Sequence, residues 1–405
     1  MRAAVAGATL PDHQPSWEFP FYDSGHDEFR ARVRARLADA VLPGADDWER
    51  QGFIGAAGWR ALGAAGLLGE PHDGPGFLRS AVLLEELGAT GYAGVRSAVG
   101  VHAYMAASYL LLFGSEAQRA AWLPAARRGE RVTALAITEH QAGSDLSDLR
   151  TVAVPRPEGG FRLDGHKCYI ANGTRAGLLV VLARTGAPRE APDPPRRAPG
   201  GGNGLAGASL LLVDADAPGV VRRPQPMSGY RSADVAEIVF DGVDLPADAL
   251  LGRPGRALLQ LMRALDFERL VAGLLAVGGV RHTLELLGAH LAARRMRGGP
   301  LGARQAVRHQ VADLLAEYDT VRRYAHHAAW LHSQGRLDTR TASVVKLRAT
   351  ELAVGAAQTC ARLHGAQGYL EDSAVARVHR DALAGTIAAG ASELLRDLIA
   401  EAPAT

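Results

Sequence analysis

Residues 136–145 read Ala-Ile-Thr-Glu-His-Gln-Ala-Gly-Ser-Asp, and residues 163–173 read Leu-Asp-Gly-His-Lys-Cys-Tyr-Ile-Ala-Asn-Gly. In the first stretch, Thr138 and Ser144 bring two hydroxyl groups close to a glycine. A turn that contains glycine lets backbone N–H groups approach an anionic or electron-rich acceptor. The first stretch alone fits a polar turn equally well, so its meaning depends on its pairing with the second.

The composition around these stretches is that of a globular protein. The chain has 405 residues, 47% of them hydrophobic, and a formal net charge of +2. A chain of this length can bury a sizeable core and is expected to form two or three domains. It carries no large basic block, so we do not expect it to bind nucleic acid.

The cysteines, the histidines and the N-terminus bear on metal binding and on the cellular location of the protein. Cys168 and Cys360 are the only cysteines, and they form no metal-binding or disulfide pattern. His326 and His327 are adjacent and cannot share one helix face, so no metal site is expected. Residues 1–20 lack the pattern of a secretory signal, and no apolar run reaches transmembrane length. The expected location is therefore the cytoplasm, without contact with a membrane.

Hydrophobic periodicity divides the chain into three parts. Helical spacing marks the first third, beginning with Phe29, Val33 and Leu37 and continuing to a helix predicted at Ala103–Leu112. Short apolar runs bounded by Gly, Pro and Asp predict strands in the middle third, at Leu178–Ala183, Ala208–Val213 and Ala236–Phe240. From Leu258 onward long helices return, including Gln305–Leu331, Thr339–Leu363 and Glu393–Ala400, which favours a bundle.

We therefore predict a mainly α protein with a middle β-domain. The predicted units are an irregular arm at 1–22, a helical domain at 23–132, a β-domain at 133–249 and a four-helix bundle at 250–405. A Pro/Gly/Arg-rich loop at 187–207 is expected to be mobile. Its end, 202–207, satisfies G-x-G-x-x-G. A strand follows the glycines where a dinucleotide fold requires a helix, so we interpret them as a glycine loop.

Taken together, the two opening stretches resemble the paired flavin-binding signatures of the acyl-CoA dehydrogenases. The resemblance implies the three-domain architecture of that family, FAD as cofactor and an acyl thioester as substrate. Further matches extend it from about Ser24 to about Ala400. Residues 294–301 with Gln305 resemble the motif that reaches the FAD of a neighbouring subunit, and residues 364–369 resemble the segment that covers its ADP half.

By this resemblance, ten residues are predicted to contact FAD. They are Thr138, Ser144, Tyr169, Ala171, Arg294, Gln305, Arg362, Gly365, Ala391 and Glu393. Ala171 and Ala391 stand where the family commonly has threonine, and Arg362 where it has glutamine. A cation at position 362 could pair with a phosphate of the cofactor.

The catalytic base is the main departure from the commonest pattern. Many family members place a glutamate in a Tyr-Glu-Gly-Thr turn, but residues 388–391 here read Ala-Ala-Gly-Ala. A minority, including isovaleryl- and long-chain-type members, carry the glutamate on the first long helix of the bundle, within a Glu-Arg pair. Glu268 and Arg269 match that pair, so Glu268 is predicted to be the base. Arg269 and Ala388 are predicted to line the substrate pocket, and the Ala389 backbone N–H to polarise the thioester carbonyl.

The predicted reaction is α,β-dehydrogenation. Glu268 would remove the α-proton while flavin N5 accepts the β-hydride. An electron-transfer flavoprotein is the expected acceptor, and the thioester carrier could be CoA or an acyl carrier protein. Two alternatives stay open: a flavin oxidase or monooxygenase on the same fold, and a degenerate flavin- or thioester-binding protein without turnover. The chain is expected to form a homo-oligomer, a dimer or a tetramer, and we favour a tetramer built as a dimer of dimers.

Overall fold

The computed structural model describes residues 4–5, 8–9, 19–185 and 205–401. Most of the predicted N-terminal arm, and nearly all of the predicted loop at 187–207 including its glycines before Gly207, lie outside these residues. The end of the predicted arm is packed against the protein. Tyr22 is buried, and its hydroxyl hydrogen-bonds to Nδ1 of His326 at 2.7 Å.

The first part of the chain is helical. Its helices are α1 (Ser24–Ala40), α2 (Leu42–Gln51), α3 (Ala56–Ala64), α4 (Phe77–Gly88), α5 (Ala93–Gly100), α6 (Ala107–Phe113) and α7 (Glu116–Arg127). Between α5 and α6 the chain continues as a π-helical segment, Val101–Ala106. Sequence periodicity predicted one helix at Ala103–Leu112, which misses this change of helix type. Wider helical turns of this kind are often found at functional sites.

The middle part is one mixed sheet of eight strands within the described residues. The strands are β3 (Val132–Ala136), β4 (Val152–Pro155), β5 (Phe161–Ile170), β6 (Ala176–Thr185), β7 (Ala208–Asp214), β8 (Val220–Pro224), β9 (Ala236–Leu245) and β10 (Leu250–Leu251). They run in the order β10-β7-β6-β4-β5-β9-β8, and β3 pairs with β6 in parallel. The strands predicted at β6, β7 and β9 are confirmed.

The sheet places the two opening stretches side by side. The first stretch follows β3, and the second includes the end of β5. The Cys168 backbone N–H donates to the Thr138 carbonyl at 3.0 Å. Strand β5 was not predicted because its residues alternate between buried and partly exposed, without an apolar run.

The last part is a bundle of four helices, of which α11 was not predicted from the sequence. These are α8 (Ala257–Ala293), α9 (Gln305–Ser333), α10 (Thr339–His364) and α11 (Ala374–Ile387), and the short α12 (Ser392–Glu401) packs on α10. Two-residue strands complete the structure at Ala4–Val5, Ala8–Thr9, Arg295–Met296 and Gly299–Pro300. The fold class predicted from sequence, mainly α with a middle β-domain in three-domain form, is confirmed.

Helix α8 is long and apolar enough to cross a membrane when it is judged by length and composition alone. In the fold, 72% of its most apolar window is buried inside the protein. It packs against α10, α4 and α9, so its apolar side chains are covered by other helices. Such a helix is typical of the centre of a bundle.

Buried ion pairs join the helical domain to this bundle. Glu85 on α4 accepts hydrogen bonds from Arg322 on α9, at 2.6 Å, and from Arg30 on α1, at 2.9 Å. Neighbouring Glu86 accepts from Arg281 on α8 at 2.6 Å. A buried charge is tolerated when it is paired and hydrogen-bonded, and removal of one partner is costly. These pairs fix α8, which carries the predicted base, against the helical domain.

Candidate active site

A cavity of about 200 Å³ lies where the three parts of the fold meet. Glu268, Ala388 and Ala389 line it, and so do Tyr169 and Ala171 from the second opening stretch. The structure therefore brings together five of the residues predicted from sequence, although they come from β5, α8 and the end of α11.

Glu268 forms a buried acidic group in an apolar wall. Its side chain projects from α8 between small and aliphatic residues, and only 5% of the residue is exposed. Oε1 accepts a hydrogen bond of 2.7 Å from the Tyr109 hydroxyl. Burial raises the pKa of Glu268 to about 7, against the smaller opposing effects of Tyr109 and Arg269. A carboxyl group with this pKa can hold or accept a proton near neutral pH.

Tyr109 was missed by the sequence analysis. It lies on α6, directly after the π-helical segment, and it is fully buried. The segment itself contributes Val101 and Met105 to the cavity wall. No motif marks Tyr109, because its role depends on a contact with a residue 159 positions away. The only available signal was a tyrosine within a predicted apolar helix, and a buried hydroxyl usually needs a partner.

Another part of the cavity wall is a turn with unusual backbone geometry. Helix α11 ends before Ala388, and Ala389 then adopts a φ of 53° and Gly390 a φ of 95°. A positive φ costs a non-glycine residue about 1 kcal/mol or more, so the surrounding structure must maintain it. Lys346 on α10 is buried and donates a hydrogen bond from Nζ to the Gly390 carbonyl. Burial lowers the pKa of Lys346 to about 8.

The loop after β3 is held in place by a second buried lysine. Lys167 Nζ lies 2.8 Å from Oε1 of Glu139, and the Thr151 backbone N–H donates to the same carboxylate at 3.0 Å. Farther along this loop, Ser144 is exposed, and a Cβ on Gly143 would meet no atom within 4 Å. The backbone N–H groups of Gly143 and Ser144 are therefore accessible, and exposed N–H groups of this kind are suited to bind a flavin phosphate.

Other predicted FAD residues lie on the surface. Gln305, Arg362, Gly365 and Glu393 are exposed, whereas Ala391 is half-buried beside the strained turn. Arg294 is also exposed, at the far end of α8. From Glu268 to the end of α8 the helix runs some 25 residues, or roughly 38 Å at 1.5 Å per residue. Arg294 is therefore remote from the cavity of its own chain.

Arg269, which was predicted to line the substrate pocket, is not among the residues that line this cavity, so that role stays a prediction. Its Nη1 donates to Oδ1 of Asp266 at 2.8 Å. Its Nε is close to the turn, because a side chain at position 390 would place its Cβ 4.0 Å from this atom. The residue after Glu268 on a helix is rotated by about 100° from it, so the two side chains leave α8 in different directions. Arg269 lies close to Gly390 of the turn.

The cavity has a further polar wall that the sequence did not predict. Arg96 on α5 lines it and is 8% exposed, with Nη1 donating to the Leu275 carbonyl at 3.2 Å. Three residues that carry a hydroxyl group also line the cavity, namely Ser97, Thr350 and Tyr230. The remaining lining side chains are largely apolar and small. An acyl chain would therefore meet an apolar pocket with a few fixed polar groups.

Models of one family match all three parts of the chain. The acyl-CoA dehydrogenase N-terminal domain matches residues 23–130, the middle domain residues 134–243 and the C-terminal domain residues 258–403.

Individual proteins match over almost the whole length. The mitochondrial long-chain specific acyl-CoA dehydrogenase of Mus musculus is 32% identical over 94% of this chain and 86% of its own. The crystal structure of an acyl-CoA dehydrogenase from Geobacillus kaustophilus superposes with a TM-score of 0.85 at 31% identity, covering 94% of this chain and 98% of the other. The prolyl acyl carrier protein oxidase AnaB superposes with a TM-score of 0.83 at 26% identity, covering 94% and 99%.

Proposed function

The chain belongs to the acyl-CoA dehydrogenase family, and from that premise we propose that Glu268 is the base that removes the α-proton of an acyl thioester. The enzyme is an FAD-dependent oxidoreductase that acts on the CH–CH bond of acyl thioesters. When bound, FAD supplies the acceptor for the β-hydride. The rest of the chemistry depends on groups of the protein itself.

The observation that supports Glu268 is its position. It is a carboxyl group in the wall of the cavity, it is buried, and its pKa is raised to about 7 by that burial. The turn at residues 388–391, where many family members carry their glutamate, has no carboxylate. An α-proton next to a thioester is weakly acidic, so the base must be strong enough at neutral pH and shielded from water. Glu268 has both properties.

The Ala389 turn is the counterpart of the base. We assign to its backbone N–H the polarisation of the thioester carbonyl, because a fixed N–H donor stabilises the enolate charge that develops as the proton leaves. Ala389 lines the same cavity as Glu268, and Lys346 donates a hydrogen bond to the adjacent Gly390 carbonyl. The turn is thus fixed before substrate binds, which lowers the reorganisation needed during the reaction.

The flavin site is proposed to include residues of two chains. In one chain we assign to it Tyr169 and Ala171, which line the cavity, together with Thr138 and Ser144 from the loop after β3. Arg294 and Gln305, together with Arg362, Gly365 and Glu393, are proposed to reach the FAD of a partner subunit or its ADP half. The distance along α8 supports this division, because Arg294 cannot reach the cavity of its own chain.

We also propose the carrier of the acyl thioester and the acceptor of the electrons. Acyl-CoA is the leading substrate form, and an acyl carrier protein thioester is the alternative, since one similar structure is named a prolyl acyl carrier protein oxidase. We propose an electron-transfer flavoprotein as acceptor and the cytoplasm as location. An oxidase on the same fold is the second candidate, and the rate at which oxygen reoxidises the reduced enzyme separates the two.

Anaerobic titration with a panel of thioesters tests the base. The FAD-loaded enzyme should bleach at 450 nm with its substrate, whereas Glu268→Gln should keep its FAD and fold but lose reduction by about two to four decades. Glu285→Gln, on a partly exposed turn of the same helix, is the matched control and should behave as wild type. Near-normal reduction of Glu268→Gln would show that another group is the base. Failure of every thioester to reduce the wild type would favour a binding protein without turnover.

A further inference from the structure

Three potential metal ligands converge on the outer face of the middle domain. His140 lies in the loop after β3, His166 on β5 and Glu237 on β9. Nε2 of His140 lies 3.4 Å from Oε1 of Glu237, and Nε2 of His166 lies 3.6 Å from Oε2 of the same residue. The ligand atoms of all three residues lie within 4.8 Å of one another.

The register of the sheet explains how two of the three meet. His166 pairs with Val239 across the antiparallel strands β5 and β9. Directly opposed residues project to the same face, and residues two apart on one strand share a face. Glu237 is therefore a diagonal neighbour of His166 on that face, within reach of its side chain. The loop after β3 then brings His140 above them, with the two imidazole rings 5.2 Å apart.

The separations are those of ligands around a metal rather than of hydrogen-bonded groups. An N–H···O hydrogen bond is normally 2.7–3.2 Å long, so 3.4 and 3.6 Å are too long for good ones. Tetrahedral Zn²⁺ with bonds of about 2.0–2.1 Å sets its ligands roughly 3.4 Å apart. Moreover, each imidazole approaches a different oxygen of the carboxylate.

We propose that His140, His166 and Glu237 bind a divalent transition-metal ion, with Zn²⁺ as the best fit. Two imidazoles and one carboxylate form a ligand set that Zn²⁺ uses elsewhere, with water in the fourth position. The carboxylate is already oriented, because Gln225 Nε2 donates to Oε1 of Glu237 at 3.0 Å. Such outer hydrogen bonds typically strengthen metal binding.

The site is connected to the reaction cavity. Oε1 of Gln225 accepts a hydrogen bond of 2.7 Å from the Tyr169 backbone N–H, and Tyr169 lines the cavity. His140 belongs to the loop that carries Thr138 and Ser144. A bound metal would thus tie this loop to β5 and β9, and it would stabilise the folded arrangement as any ligand of the native state does.

Calorimetric titration of the tag-free, FAD-loaded enzyme with Zn²⁺, after removal of metal by a chelator, tests the site. One Zn²⁺ should bind per chain. His140→Ala, His166→Ala and Glu237→Gln should each weaken binding at least tenfold, and Gln225→Leu by about tenfold through loss of the outer hydrogen bond. His327→Ala removes an exposed histidine elsewhere and should leave the affinity unchanged.

Thermal unfolding gives an independent measurement. At a fixed Zn²⁺ concentration a few times the wild-type Kd, Zn²⁺ should raise the Tm of the wild type and of His327→Ala more than that of the three ligand variants. The FAD content and the metal-free Tm of each variant show whether it is folded. Substoichiometric binding by the wild type, or a loss of less than tenfold in any of the three ligand variants, would overturn the proposal. Neither result depends on whether the enzyme turns over a thioester.

Discussion

The hydroxyl of Tyr109 lies 2.7 Å from Oε1 of Glu268, on a helix of a different domain. Burial of Glu268 raises its pKa, and this hydrogen bond opposes that effect because it stabilises the ionised carboxylate. The balance leaves the pKa at about 7. Tyr109 is therefore a positioning residue that sets the pH range in which the proposed base is available.

Tyr109→Phe should shift the pH dependence of the reaction. The base must be ionised, so kcat/KM of the wild type should rise with pH to a plateau above about 7. Without the hydroxyl, the pKa of Glu268 should rise, and the acidic limb should move to higher pH. A hydrogen bond to a charged group contributes about 1.5–3 kcal/mol, so a shift of about one unit or more is expected. Steady-state rates from pH 5.5 to 9.5 measure it.

Tyr104→Phe is the matched control for this experiment. Tyr104 is also buried in the same continuous helix, where its ring stacks on His72 with centroids 5.2 Å apart. Its substitution should leave the acidic limb in place. An unchanged limb in Tyr109→Phe, or the same shift in both variants, would contradict the assigned role of the hydrogen bond.

Glu268→Gln should stabilise the protein in a pH-dependent way. The folded-state pKa of Glu268 lies above its usual value, so the folded state binds the extra proton between about pH 4.5 and 7. The contribution of this group to stability is fully present below that window and is lost as the pH rises through about 7. The glutamine is neutral throughout. Relative to wild type, the Tm of the variant should therefore rise more at pH 8 than at pH 5, and an equal difference at both would be inconsistent with a raised pKa.

Lys346→Met should slow the reaction without preventing the substrate from binding. The ammonium group fixes the Gly390 carbonyl, and with it the Ala389 N–H that is proposed to polarise the thioester. Loss of a charged hydrogen bond should lower kcat roughly tenfold or more, with a smaller change in KM. Arg348→Met, on an exposed position of the same helix, is the control. A change in KM alone would mean that Lys346 contributes to substrate binding and does not act by fixing the Ala389 N–H.

The cavity should favour acyl groups with bulk near the α or β carbon. Small residues from three helices line it, namely Ala272, Ala276, Ala353, Gly385 and Ala388. One methyl group in a fitted pocket is worth about 1–3 kcal/mol, hence roughly 10–200-fold in kcat/KM. We expect this preference for short branched over straight thioesters, and Ala276→Leu should reduce it by filling the space. Clear preference of the wild type for a straight chain would refute this prediction and leave the dehydrogenase assignment intact.

The FAD-loaded protein should be a homo-oligomer, a tetramer by preference. Met262 and Leu258 form one exposed apolar strip on α8, and Leu383 and Ile387 another on α11. Side chains four residues apart on a helix share a face, and exposed apolar strips of this kind often mark contacts between chains. Sedimentation velocity should show the oligomer, Met262→Glu should weaken it, and Arg263→Glu on the neighbouring exposed position should not. A stable FAD-loaded monomer would contradict the proposed two-chain flavin site.

The sequence by itself determined the family, the three-part fold class and the placement of the long helices. These features depend on local motifs and on hydrophobic periodicity, which are written along a continuous stretch. Glu268 could also be singled out, because the Glu-Arg pair and the alanines at 388–389 are both local patterns. The expectation of no metal site was also drawn from spacing along the chain, and such spacing carries no information about side chains that three separate segments bring together.

Only the tertiary structure placed Tyr109 against Glu268, Lys346 behind the Ala389 turn, and His140, His166 and Glu237 on one face of the sheet. It also paired Arg269 with Asp266 and showed a π-helical segment where one α-helix was predicted. Most of these facts depend on contacts between residues remote in sequence. Burial, which raises the pKa of Glu268, is likewise a property of the packed chain, because a side chain is removed from water only by neighbours that the fold brings to it.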